Sequence, residues 1–396
     1  MSAKRSNEHA PEVPTKRAKF LAHDQRKKLR LITLGRWLSE GPVPVHEVCD
    51  LVKEYANEFD GIKLMTRAGN QRYFVTAVLA VLGDGIIASS LEHKVIVWDL
   101  DRHAIKTELL GHTGDVTALV VIPEIASGLA SALASAMASG SADHSVKVWN
   151  VLTGDCVATL RGHESQVGAL AILDDGTLAS SSRSWICVWD LTSHTLLKLL
   201  HTHTSRLTRA IAGLSQDRLV SACDDGVVMM HAVKSAAVLR YMGGHTNEGV
   251  AMCVLPGQLL ATAAHDGVVR LWNELPDQGW NELKGHKSPV NVMTMLPDGR
   301  LVTGSRDCTI RIWNIHNRTC IRTLAGHIEP ILALVFLPDG RLASSAMDST
   351  IMIWDLVTGE SVRTVKTGTP VAQLAVLPSC KLVGSGRCNN TVYVWG

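Results

Sequence analysis

At 396 residues the chain exceeds what one compact core usually fills, and its 32 Gly and 10 Trp, against 4 Phe and 4 Tyr, indicate a repeated unit with a regularly placed Trp. Nine Cys, an odd number with no C-x-x-C pair, argue against a disulfide framework or a zinc knuckle and fit a reducing compartment. No apolar run approaches the roughly 18 to 20 residues of a membrane span, and the net charge of +2 is uneven: residues 1–30 hold nine Lys/Arg against three Asp/Glu, so residues 31–396 are net −4.

Residues 1–30 lack apolar periodicity and are charged where a secretory leader would be apolar, so a disordered tail on a soluble intracellular protein is expected. Two basic clusters, Lys4-Arg5 and Lys16-Arg17 with Lys19, lie about ten residues apart and resemble a bipartite nuclear import signal, which implies an import receptor as partner and a nuclear location. Lys27, Lys28 and Arg30 extend the basic stretch and could instead meet nucleic acid or an acidic surface.

Over residues 31–60 the pattern becomes helical. Leu31, Leu34, Trp37 and Leu38 form one stripe, Gly41, Pro42 and Pro44 punctuate, and Val48, Leu51, Val52, Tyr55 and Phe59 form a second. This spacing predicts a helical hairpin, either capping the main domain or binding a partner. Pro44 to Val48, with Leu51 and Tyr55, resembles the start of an F-box over about half of that motif.

From Gly61 to Gly396 one unit recurs, best seen in Gly285 to Asn314: Gly-His, an apolar run, Pro-Asp-Gly, a second run ending in small hydroxyl residues, Asp, a third run and Trp. Trp98, Trp149, Trp189, His231, Trp272, Trp313, Trp354 and Trp395 occupy the same place, spaced by 51, 40, 42, 41, 41, 41 and 41 residues. In the template unit, Val290 to Leu296 is apolar on both faces, as a fully buried inner strand would be, and Pro297-Asp298-Gly299 turns. Leu301 and Thr303 alternate, Asp307 opens another turn, Ile310 and Ile312 alternate up to Trp313, and Thr319 to Leu324 supplies a fourth strand.

The period of about 40 to 45 residues with Gly-His and Trp-Asp marks resembles the WD40-repeat family. The resemblance covers residues 61–396 and implies an all-β propeller with one four-stranded blade per unit. Seven blades are commoner in such proteins, but eight Trp-position anchors give eight. The chain stops just past Trp395, so the last blade lacks its outer strand, and residues 61–68 align with an outer strand that has no blade before it. The N-terminal strand is therefore expected to complete the last blade and remove the open edge.

Three departures are local. Residues 126–137 hold a near-tandem A-S-G-L, A-S-A-L, A-S-A-M, read as an expanded loop between the first two strands of its unit, either a flexible protrusion or a binding loop. His231 replaces Trp, and Arg183-Ser184 stands where Asp is expected, so those two units should be softer.

The recurring His, Ser/Thr and Asp suggest a catalytic triad, but a triad is needed once, in a cleft with an oxyanion site. The resemblance implies instead a buried hydrogen-bonded tetrad in each blade: His112, Ser139, Asp143 and Trp149; His245, Thr262, Asp266 and Trp272; His286, Thr303, Asp307 and Trp313; His327, Ser344, Asp348 and Trp354. Phosphate-loop, H-E-x-x-H and G-x-S-x-G motifs are missing. No catalytic residue, cofactor or metal site is expected, and the −4 body disfavours nucleic acid.

The resemblance further implies that peptides or protein surfaces dock on the propeller's top face. Candidate contacts are Gln166, Glu248, His265, Lys287, Arg306, Glu329 and Met347. The leading expectation is a non-enzymatic scaffold, monomeric within a larger nuclear complex. The alternatives are a ubiquitin-ligase substrate receptor using residues 31–59, although the W-D-x-R ending typical of one class is absent after Trp98, Trp189 and Trp354, and a propeller enzyme.

Overall fold

A computed structural model describes residues 62–65 (backbone), 78–83, 85–123, 136–202, 207–214, 217–243, 245, 251–256, 259–272, 280–387 and 391–395. The expected tail, import signal and helical hairpin, and most of the Ala/Ser repeat, lie outside these residues.

The described chain forms eight four-stranded antiparallel sheets, and each is built from consecutive strands except the last. In the sixth blade the strands are Val290–Met295, Leu301–Ser305, Thr309–Asn314 and Thr319–Ala325, numbered here from inner to outer. Between the first two, Gly299 at φ +84° closes the turn while its N–H donates to Leu296 O at 2.9 Å. A side chain is strained in that left-handed conformation, which accounts for Gly in the Pro-Asp-Gly signature.

Burial runs differently from the sequence expectation. The second strand, Leu301–Ser305, is buried throughout, whereas most of the first is only half-buried. The physical reason is geometric: the inner strand lines the centre of the ring, while the second strand is covered by neighbouring blades on both faces. Alternation at Leu301 and Thr303 therefore does not mark a half-exposed strand: Val302 and Gly304 between them are buried too, Thr303 is inside as the tetrad requires, and Ser305 is inside with its hydroxyl donating to Ser288 O. Gly304 belongs to the same tight packing; a Cβ there would come within 2.6 Å of Ile331 in the next blade.

The cores lie between blades. Leu296, Val302, Ile310, Ile312 and Leu324 of the sixth blade pack on Ile331, Leu342, Ala346, Trp354 and Leu356 of the seventh. Trp98, Trp149, Trp189, Trp272, Trp313 and Trp354 thus plug the gap to the preceding sheet, as Trp149 does beside Val95, Val97 and Leu109. Register shifts by one residue just before Trp98, Trp149, Trp189, Trp313 and Trp354, where the outer strand pairs. A bulge at this point re-aims the indole into the gap.

The ring closes as expected. Ile62–Met65 pairs with Thr391–Trp395, with Ile62 opposite Val394 and Met65 opposite Thr391, giving the eighth blade its fourth strand. Trp98 of the first blade shares a core with Leu377, Val383, Val392 and Val394 of the eighth, and Leu79 N donates to Gln373 Oε1 at 2.7 Å. One boundary needs correction: Ala136 and Met137 are not loop but open the second strand of their blade, buried against its neighbours, because they pair with Ile122 and Val121 of the first strand.

Candidate partner-binding face

In four blades the residues that repeat form one hydrogen-bonded chain, from the turn after the second strand to the far end of the third. In the sixth, Trp313 Nε1 donates to Thr303 Oγ1 at 2.9 Å, Thr303 Oγ1 lies 2.7 Å from His286 Nε2, and His286 Nδ1 lies 2.9 Å from Asp307 Oδ2. The network assigns the protons. With Nδ1–H given to the carboxylate, Nε2 accepts from the Thr303 hydroxyl, whose oxygen is then free to accept from the indole.

The same chain joins Trp149, Ser139, His112 and Asp143 at 2.7, 2.8 and 2.8 Å, and Trp354, Ser344, His327 and Asp348 at 2.7, 2.8 and 2.8 Å. In the fifth blade Trp272, Thr262, His245 and Asp266 are linked at 2.7, 2.8 and 3.0 Å, and the buried Arg270 adds a 2.7 Å bond to Asp266. In the third blade the Asp is missing. Trp189 and His163 still share Ser180 at 2.7 and 2.6 Å, but His163 Nδ1 faces Cys187 Sγ at 3.6 Å. In the fourth, His231 takes the Trp position and its Nε2 lies 2.9 Å from Ser221 Oγ.

Burial lowers the pKa of His112, His245, His286 and His327 although each neighbouring Asp acts to raise it, so these rings are held neutral. His163, with no carboxylate, falls to about 4 through burial and the nearby His144. Burial would raise Asp307, but hydrogen bonds from Thr309, the Lys287 amide and His286 hold it at about 2. Among the described residues no group of three or more His, Cys, Asp or Glu is arranged to hold a metal ion.

Because Lys287 N also donates to Asp307 Oδ2 at 2.9 Å, the loop after Gly-His and the turn carrying Asp307 lie at the same end of the blade. That end is the face on which the variable candidates sit. Arg306, Lys287 and Glu329 are exposed, Gln166, His265 and Met347 are half-buried, and Glu248 lies outside the described residues. Arg306 Nε meets Asn291 Oδ1 at 3.2 Å, and its Nη2 lies 3.4 Å from His265 Nε2 in the preceding blade.

Five repeats match the model described as "WD domain, G-beta repeat", at residues 104–150, 154–190, 237–273, 280–314 and 318–355. The chain belongs to the WD40-repeat family. Each match runs from the outer strand of one blade to the Trp of the next. The WD40 repeats left unmatched include the one ending at His231, without Trp, and the one ending at Trp395, with Lys366-Thr367 where Gly-His is expected. Over 256 residues the chain is 24% identical to Periodic tryptophan protein 2 of Arabidopsis thaliana, covering 62% of this chain and 26% of that protein. It is 24% identical over 166 residues to Pre-mRNA-processing factor 19 of Bos taurus, covering 41% of this chain and 31% of that one. The chain thus matches about a quarter to a third of the length of these relatives. Among solved structures, the computationally designed Ika8 protein superposes with a TM-score of 0.70 at 27% identity, covering 84% of this chain and 99% of that one.

Two residues of this face were missed by sequence reasoning. Arg387 N donates to Pro370 O at 2.8 Å, as Arg306 N does to Pro289 O at 2.8 Å and Met347 N to Pro330 O at 2.9 Å, so Arg387 is their counterpart in the eighth blade. The Pro370-Val371 pair repeats Pro289-Val290 and was the available signal. Ile328, 81% exposed, follows His327 as Lys287 follows His286; an apolar residue at a polar loop position was the signal there.

Proposed function

We propose that this protein is a non-catalytic interaction scaffold that holds a protein partner on the propeller face carrying Lys287, Arg306, Ile328 and Met347. The observation that carries this reading is the division of labour between repeating and varying residues. The hydroxyl of Thr303, the nucleophile of any triad reading, is wholly buried and engaged on both sides, by His286 and by Trp313. The tetrads are then clasps that fix the loops, since a fully satisfied buried polar network specifies one arrangement. The neighbouring exposed side chains differ from blade to blade, as a surface selecting a single partner requires.

The basic clusters at Lys4-Arg5 and Lys16-Arg17 with Lys19 support a nuclear location through an import receptor, and the relative named for pre-mRNA processing is consistent with work in a nuclear complex. Site-specific photocrosslinking tests the face. A crosslinking residue at position 287 or 328 should capture partner protein, whereas one at Arg102 or Glu360, exposed on the opposite turns, should not. Capture from the opposite turns alone would reject the proposal.

A further inference from the structure

Placing the variable residues in ring order separates them by charge. The sixth and eighth blades present Arg306 with Lys287, and Arg387, while the first three present Glu92, Asp115 and Glu164, with Arg183 as an opposing charge. Between the two arginines lies the seventh blade, where the equivalent position is Met347 and the neighbouring loop carries the exposed Ile328, beside one acid, Glu329.

Neither arginine has a carboxylate partner among the described residues. Arg306 reaches only Asn291 and His265, and Arg387 rests against the Met347 sulfur. The fourth blade shows the contrast: Arg209 Nε holds both oxygens of Asp224, at 2.7 and 2.9 Å. Among the described residues of the sixth and eighth blades no acid stands in such contact with Arg306 or Arg387.

Resting on the top-face reading above, we infer that the sixth to eighth blades receive an acidic peptide segment. One apolar side chain of it seats on Ile328 and Met347, and Asp or Glu on either side pairs with Arg306 and Arg387. A planar guanidinium matches a carboxylate through two parallel N–H bonds, which gives geometric selectivity as well as attraction. The acids on the first three blades favour a peptide whose continuation is basic, so the ring would also set its direction.

A nucleic acid fits this face less well. Phosphates need a continuous basic track and single-stranded bases need aromatic platforms. Here the basic arc gives way to Glu92, Asp115 and Glu164, and the exposed large aromatic rings among the described residues, Tyr241 and Trp280, stand on outer strands.

The test is fluorescence anisotropy with the full chain and a short labelled peptide carrying Glu-Glu-Leu-Glu-Glu between Gly-Ser flanks. Binding should weaken at least about tenfold with Arg306→Gln or Arg387→Gln, and likewise when Gln replaces Glu in the peptide. It should also weaken when salt is raised from about 0.05 to about 0.5 M, and Lys198→Gln on an outer strand should leave it unchanged. Equal binding of the Glu and Gln peptides, no binding of either, or tighter binding of a single-stranded RNA of similar length would overturn the inference. If that happens while crosslinks at positions 287 and 328 persist, the partner chemistry alone is wrong. Crosslinks confined to Arg102 and Glu360 would remove the face itself and this inference with it.

Discussion

Thr303→Val probes the clasp with little change of shape. Valine replaces a hydroxyl by a methyl of similar size, so no sizeable cavity opens, and the residue is fully buried in its strand. Two polar atoms lose their partner: the Trp313 indole N–H, now 2.9 Å from the hydroxyl oxygen, and His286 Nε2, now 2.7 Å from it. A buried group left unsatisfied costs about 1 to 3 kcal/mol. The pair should therefore cost about 2 to 4 kcal/mol, reduced where His286 can rotate toward water. Urea unfolding followed by tryptophan fluorescence measures this as a lower midpoint at unchanged slope. A change below about 0.5 kcal/mol would refute the tetrad account, because a surface substitution does as much.

Other outcomes follow from the same geometry. Trp313→Ala, which empties the gap between the fifth and sixth blades, should cost about 3 to 5 kcal/mol by the same unfolding assay. His163 is neutral in the folded protein down to about pH 4, whereas the unfolded ring protonates near 6.5; its contribution is full above pH 6.5 and is lost as pH falls from 6.5 to 4. That loss is about 3 kcal/mol, and His163→Gln should flatten this part of the stability profile measured by denaturation at each pH. Removing residues 1–65 should expose the edge of Thr391–Trp395 and promote association, seen by light scattering, and a synthetic peptide spanning 61–68 should reverse it. Replacing Lys16, Arg17 and Lys19 by Ala should lower the nuclear fraction of a fluorescent fusion; an unchanged fraction would reject the import reading.

The repeat and its closure were legible because Trp spacing near 41 residues and an unpartnered outer-strand motif at Gly61 are one-dimensional signals. Depth of burial was not. Thr303 was expected inside only through the repeat, and Ser305 reads as polar although it is internal, since its hydroxyl donates to Ser288 O, a group well back along the chain. The end of the Ala/Ser repeat was misplaced because Ala136 and Met137 suit a crowded strand as well as a loop. On the candidate face, Arg306 and Met347 were found by counting back from Asp, but Arg387 was missed because Cys388-Asn389-Asn390 offers no Asp to count from. The charge separation across the face belongs to ring order, which becomes visible only when the eighth blade is set beside the first.

The central claim is that repeating residues hold the ring and varying residues choose the partner. Quantitative affinity capture with a Lys287→Glu, Arg306→Glu, Ile328→Glu triple variant tests it most directly, alongside an Arg102→Glu, Glu360→Arg control on the opposite turns. The account predicts that both variants melt within a few degrees of the parent while only the triple variant loses its partners. Partners retained by the triple variant at parental level, or lost equally by the control, would contradict it.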